Sequence, residues 1–396
     1  MTYVSGDPAP GPTRRTTLAG LVGGAGAVLA AGCSAPGPSP APTRTAGAPA
    51  PADGATPGAM TLFKDPGFNF NGLLALGASG YGAAEVGEVL TAVNTINKAG
   101  LSAQTFTKAF RNLGDQLRQP PRSGRPGTQT TRFRALRAAQ YYGQALFFVL
   151  GSDHPGSEEQ LYRAGRESWD AFCERCDPAP LTAHVPYGRT PLPVWFFRPD
   201  TSHEPRPTVI LTNGSDGQDV DMWTYGVAAF EHRIAALVAM PGVLQPWLGF
   251  PPEIREILTP SKEKTNAVWN KEVVPELPPS AAATLKKRFE PFSVPAMLAA
   301  RRGKMFTDFY TPATLIRSLD ITDVVRRITM PTLILDYEDE QFYPGQPRQM
   351  FDKLTAPKDY MKLTAATGAQ LHCSPMAPQQ HCEVVFDWLQ EKLPGS

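Results

Sequence analysis

The chain of 396 residues contains no G-x-S-x-G pentapeptide, the strained strand-to-helix turn that presents a nucleophilic serine. It also lacks a dense Lys/Arg stripe: 38 basic residues set against 37 acidic ones leave a formal net charge of +1. Nucleic acid is therefore excluded as an expected partner, because phosphate binding rests on clustered positive charge. Long hydrophobic runs are missing as well. The apolar N-terminal stretch from Leu18 to Ala31 is rich in Gly and Ala, too short and too weakly apolar to span a bilayer. Cysteine is sparse, at five residues, and no spacing among these and the six histidines fits a known zinc pattern, so no metal and no other cofactor is expected. What is present is a 42% hydrophobic complement, enough for one large core plus an accessory region.

The N-terminus reads as an address. Thr13-Arg14-Arg15-Thr16-Thr17-Leu18 resembles a twin-arginine export signal, with Thr17 in place of the usual aromatic. The following apolar stretch ends in "VLAAGC", which resembles a bacterial lipoprotein cleavage box with its leucine one place early. Residues 1–33 are accordingly expected to be a signal whose Cys33 is lipidated, tethering the protein to the extracytoplasmic face of the membrane. The plainer alternative is an ordinary signal peptide, a secreted product and an incidental Cys33. Residues 34–59 are almost wholly Pro, Ala, Gly, Ser and Thr. Such a segment cannot bury enough apolar surface to offset its ordering entropy, and it is expected to be a disordered tether.

From Tyr81 to Asp177 the apolar spacing is helical, and residues 60–180 are expected to form a helical N-terminal region. Val86, Val89, Leu90, Val93 and Ile96 share a face, with Gly100 placed to close the helix. Phe106, Phe110, Leu113 and Leu117 make a second stripe, with Ser102 as N-cap. A longer helix is expected over about 131–150, and another from Ser157, with Gln160 completing a capping box. The period then changes. "TAHVPY", Gly188 and "LPVWFFRP" predict a β-hairpin, and Thr208 to Thr212 a strand. "IAALVAM" (234–240) and "MPTLILDYED" (330–339) are unbroken apolar runs of the kind buried on both faces of a parallel sheet. Residues 243–328 are Pro-punctuated and mostly helical, suiting a lid, and Glu383 to Leu393 predicts a final amphipathic helix.

"GYGAAEVGEVL", "AAQYYGQALFFVLGSDHPG", "DYEDEQFYPGQ" and "TAATGAQLHCSP", in this order, resemble the α/β-hydrolases, in the branch related to 2,6-dihydropseudooxynicotine hydrolase and the FrsA-like esterases. The resemblance spans about residues 80–393. It implies an α/β fold with a mostly parallel sheet, divided between 181–242 and 329–396 around the lid. It also implies catalysis by serine, acid and histidine in that chain order, on a small-molecule ester, amide or activated C–C bond. His372 matches the catalytic histidine. The acid falls in the turn after "TLIL": Glu340 is preferred by position, with Asp339 and Asp336 as alternatives. "NGSDG" matches the turn that supplies oxyanion-hole N–H groups, which assigns Gly214, Asp216 and Gly217 to that hole or to substrate. Ser215 is then a loop serine, or else a recruited nucleophile.

Between Thr212 and Ile234 only about twenty residues remain, whereas a single βαβ unit takes roughly 30 or more. The family has two βα units here. The chain reads as though two strands, two helices and the nucleophile turn were removed at "VAAF" (227–230). Three functions stay open: an impaired hydrolase relative, a working hydrolase using Ser215, and a non-catalytic binding lipoprotein. A homo-oligomer is compatible with a sheet that has lost strands. Cys173 and Cys176 form C-x-x-C near a helix C-terminus, where the dipole disfavours a thiolate, so a structural disulfide or two ordinary cysteines is expected. Cys373 and Cys382 form a second possible pair. Tyr141, Tyr142, Phe147 and Phe148 read most simply as helix core, with substrate lining as the second choice.

Overall fold

Aspartate 65 starts the first helix by geometry that its neighbours make obvious only in three dimensions. Its carboxylate accepts from the amides of Gly67 (2.9 Å) and Phe68 (3.0 Å), and Pro66 takes the first helical position, so α1 spans Pro66–Gly77. The computed structural model describes residues 60–120, 124, 126–188, 190–202, 204, 206, 208–211 and 234–393. The signal, the tether, "NGSDG" and "VAAF" all lie outside these residues. Helix α2 (Val86–Ala99) buries Val89, Val93 and Ile96, and stops at Gly100, whose φ of 90° an L side chain would resist. In α3 (Ala103–Arg118) the Ser102 and Thr105 side chains each accept from the other's amide, the reciprocal cap that holds a helix start.

Helix α4 (Thr128–Phe148) is buried along most of its C-terminal half and lies between α3 and α5 (Glu158–Cys173). The capping box expected at Ser157 does not form. Residues 155–157 make a tight 3₁₀ turn, so the Ser157 hydroxyl donates to the His154 carbonyl (2.7 Å) instead. Tyr141 and Tyr142 belong to this core. The Tyr141 hydroxyl donates to Glu88 Oε2 (2.7 Å) and accepts from the Glu85 amide (3.0 Å), while Tyr142 donates to Asp115 (2.6 Å). Both rings are essentially inaccessible, and their hydroxyls tie α4 to α2 and α3, as the helix-core reading expects. Burial, reinforced by Asp115, pushes the Tyr142 phenol up to about 12.

Strands β1 (Leu181–Tyr187) and β2 (Thr190–Phe196) pair antiparallel around Gly188, with Leu181 opposite Phe196. Trp195 fixes this hairpin to α5, edge-on to Trp169 at 5.9 Å and under the Arg166 guanidinium at 4.4 Å. A separate three-stranded parallel sheet has the order β3 (Leu237–Ala239), β4 (Thr332–Tyr337), β5 (Lys358–Leu363). All six residues of β4 are buried, as its unbroken apolar run requires. The fold is thus a mixed helix-and-sheet one, rich in helix and with small sheets.

The expected strand from Thr208 is not formed over Thr208–Leu211. Ile210 is 77% exposed, and Val209 and Leu211 about half exposed. β-Branched sequence supplies only a preference; a strand exists by pairing, and among the described residues nothing pairs with this one. Its apolar side chains face solvent.

Between β3 and β4 lie α6 (Lys262–Val268), α7 (Pro279–Phe289), α8 (Val294–Arg301) and α9 (Tyr310–Ser318), with their own aromatic core of Trp269, Phe289, Phe306 and Phe309. A buried charge cluster ties this helical segment, expected from the sequence as a lid, to α5. Arg301 Nε donates to Glu158 Oε2 (2.8 Å), and Lys287 Nζ donates to Glu290 Oε1 (2.6 Å) and lies 3.7 Å from Glu158 Oε1. Burial pushes the Glu290 carboxyl up to about 7; Lys287 opposes this and Glu158 adds to it. Because the folded value exceeds the unfolded one near 4.5, the folded state loses stability as pH rises from about 4.5 through 7. Glu290→Gln is expected to remove about 2 kcal/mol of that loss. Urea unfolding of both proteins at pH 5 and pH 7.5 checks it, and equal pH dependence would refute it. Among the described residues, no helix is long and apolar enough to cross a membrane.

Candidate active site

The unbroken apolar run of β4 ends at the carboxyl edge of the sheet, where parallel α/β sheets present their ligands. Immediately beyond it the chain turns, and the Glu340 side chain folds inward until only 3% of it is exposed. A buried carboxylate needs donors, and four contacts meet it. Its Oε1 accepts from the amides of Phe342 (2.9 Å) and Tyr343 (3.0 Å), and His372 Nδ1 lies 2.9 Å from each carboxylate oxygen.

His372 comes from the loop between β5, which follows helix α10 (Gln346–Lys353), and the last helix, α11 (Pro378–Lys392). That loop is docked by backbone: the Asp339 amide donates to the Gln370 carbonyl (2.9 Å), with Asp339 and Leu371 bridged in parallel. The His372 amide donates to Gln341 Oε1 (3.2 Å), and Phe342 meets the imidazole edge-on at 4.8 Å. Helix α1 braces the far side. A Cβ on Gly77 would fall 1.5 Å from the Pro375 carbonyl oxygen, so only glycine allows that approach. Burial by itself lowers the imidazolium, but Cys373 and Glu340 beside it raise it further, to a net value of about 10. At neutral pH His372 is therefore a cation paired with Glu340.

The two other acids are not brought to the imidazole. Asp336 accepts from the Tyr360 hydroxyl and the Tyr337 amide. Asp339 lends its backbone to the loop, while its carboxyl, pushed up by burial and then by Glu338, has Lys362 as its opposing charge. Ser215, Gly214, Asp216, Gly217 and Cys33 lie outside the described residues. Neither cysteine pair forms a disulfide. Cys373 instead donates to the Met240 carbonyl (3.6 Å), and Cys382 is exposed on α11. Among the described residues, no group of three His, Cys, Asp or Glu side chains is placed to hold a metal ion.

Gln341, Phe342 and Tyr343 contribute to the site without any sequence signal beyond following Glu340. Nothing in the sequence marks Gly77 as the contact point for the histidine loop. Two cavities, of about 490 Å³ beside Trp247 and Arg317 and about 520 Å³ beside Tyr142 and Glu167, open elsewhere on the surface, and neither is lined by His372 or Glu340.

No family model and no curated protein matches the chain. Among solved structures, it is similar to a crystal structure of 2,6-dihydroxy-pseudo-oxynicotine hydrolase at 13% identity and TM-score 0.41, over 82% of this chain and 95% of that one. It is also similar to wild-type AbyA5 at 11% identity and TM-score 0.37, over 76% and 88% of the respective chains.

Proposed function

We propose that the protein is an α/β-hydrolase relative that keeps its acid–base pair and has lost its serine elbow, so that serine-dependent cleavage of a small ester, amide or activated C–C bond is weak or absent. The bidentate contact of Glu340 with His372 Nδ1 carries this reading. A carboxylate that holds Nδ1–H fixes the tautomer and orientation of the ring, which leaves Nε2 as the proton-transfer atom. The exposed, unpaired Thr208–Leu211 segment supports the second half of the proposal, since loss of the elbow would remove its flanking strands too. The proposal extends to location: export through the twin-arginine signal and a lipid on Cys33 would hold this site at the outer face of the cell membrane.

Loss of a triad member costs several orders of magnitude in rate. Treatment of the full chain with a fluorophosphonate probe is therefore expected to leave every serine unlabelled. Rapid labelling that disappears in Ser215→Ala would replace this reading with that of a working serine hydrolase.

A further inference from the structure

The geometry points to Cys373 as a thiol nucleophile that accepts an acyl group beside His372, in place of the missing serine. This deepens the function proposed above and rests on its reading of His372 and Glu340 as an acid–base pair. Position comes first. The Cys373 sulfur lies 3.6 Å from the carbonyl oxygen of Met240, the residue that follows β3. It is thereby held at the carboxyl edge of the sheet, the edge from which Glu340 turns inward after β4.

Backbone conformation comes second. Cys373 and Ser374 are both left-handed, with φ of 60° and 47°, and they are the only non-glycine residues with positive φ among the described residues. Strained conformations of this kind persist only where the surroundings enforce them. Here the Ser374 amide donates to the Leu371 carbonyl (2.7 Å), and its buried hydroxyl donates to the Ala369 carbonyl (2.7 Å). The turn locks the sulfur in place between β5 and α11.

Chemistry comes third. The thiol is free, partly accessible, and close enough to the imidazole to act on its charge. A cationic imidazole beside a thiol is the setting that makes cysteine nucleophilic. Cys373, His372 and Glu340 are thereby assigned the roles of nucleophile, proton-transfer group and orienting acid.

The reaction follows from these groups. Because His372 already carries its proton, the sulfur reacts as the thiolate of a thiolate–imidazolium pair: it bonds to the acyl carbon, and the C–O bond to the leaving group breaks as the imidazolium protonates the departing oxygen. Water, giving a proton to the imidazole, then attacks the thioester. The C–S bond breaks, the carboxylic acid departs, and the thiolate is left beside the imidazolium as at the start. A thiolate is itself a good leaving group, so the tetrahedral intermediate goes forward only when the other group leaves more readily. The substrates are therefore small esters with acidic alcohol portions, such as aryl or enol esters, and not amides.

The test uses the full chain and p-nitrophenyl acetate, with acid quenching and peptide mass analysis. A burst of p-nitrophenolate and an acetyl group on Cys373 are expected, both lost in Cys373→Ala and both kept in Cys382→Ala. His372→Asn is expected to slow acetylation about 100-fold. A burst that survives Cys373→Ala, or a wild-type protein with no acetyl group on Cys373, overturns the proposal. Should the variants fail to fold, iodoacetamide alkylation of the wild-type protein at pH 7 decides: Cys373 is expected to react at least about tenfold faster than Cys382. Equal rates overturn the proposal. Fluorophosphonate labelling of a serine would instead defeat the loss of the serine elbow, whereas unlabelled serines with an unacetylated Cys373 would defeat this inference alone.

Discussion

Glu340→Ala is expected to destabilise the fold by about 3–5 kcal/mol and to bring the His372 pKa down from about 10 toward or below its ordinary value. Removing the carboxylate strands an imidazolium at the edge of the core and leaves two loop amides, of Phe342 and Tyr343, without their acceptor. Glu340→Gln separates the effects, since an amide oxygen can still receive those N–H groups while the charge is gone. The sign of the pH dependence follows from the histidine. Its folded value lies above the unfolded one, so the pair's stabilisation is fully present below about pH 6.5 and fades as pH rises through about 10. In Glu340→Gln that slope is expected to shrink, leaving the part that Cys373 contributes. Urea unfolding between pH 6 and 10, with His372 followed by NMR, measures both quantities. A variant whose His372 still titrates near 10, or which loses under about 1 kcal/mol, would show that Glu340 does not hold the ring.

The contrast between Glu340 and its neighbours shows where sequence reasoning ends. Three carboxylates, Asp336, Asp339 and Glu340, lie at or beyond the end of one strand, and position in the turn prefers Glu340 without excluding the other two. What separates them is nonlocal: Tyr360 occupies Asp336, Lys362 opposes Asp339, and Glu340 accepts from two loop amides and meets His372. Local signals were readable. Ser102 and Gly100 delimit helices because capping and positive φ act within a few residues. Helix α1 was not readable, because "FNFNGLLALG" has no clean polar face and its start depends on Asp65 reaching forward to two amides. Thr208–Leu211 failed for the opposite reason. Its composition is that of a strand, but pairing is supplied by other segments, and among the described residues none pairs with it. The left-handed turn at Cys373 was equally hidden, since no glycine marks it and hydrogen bonds to Leu371 and Ala369 enforce it.

Trp269→Ala is expected to cost about 3–5 kcal/mol and to loosen the lid ahead of the rest of the molecule. The indole is fully buried, stacks on Phe306 (5.2 Å) and Phe309 (4.7 Å), and donates from Nε1 to the Phe306 carbonyl (2.8 Å). Phe289 closes the same cluster against both phenylalanines, at 5.3 and 5.2 Å, so no small side chain can refill the space without moving three rings. This cluster is distinct from the one that packs Leu335 and Tyr337 beneath the His372–Glu340 pair, so the damage begins in the lid. It reaches the site by one route. The Arg288 guanidinium at the end of α7 lies 5.5 Å over Phe342, whose ring meets His372 at 4.8 Å. A loosened α7 therefore withdraws a cation and a cover from the imidazole, without touching Glu340. Trp269→Phe, which keeps the stacking and loses only the N–H, is expected to cost about 1–2 kcal/mol. Limited proteolysis combined with urea unfolding distinguishes the outcomes. Early cleavage between β3 and β4 in Trp269→Ala, with the His372–Glu340 pair still titrating as one unit, marks the lid as a separately melting layer. A single transition shifted by less than about 1 kcal/mol would mean that the aromatic cluster does not hold it.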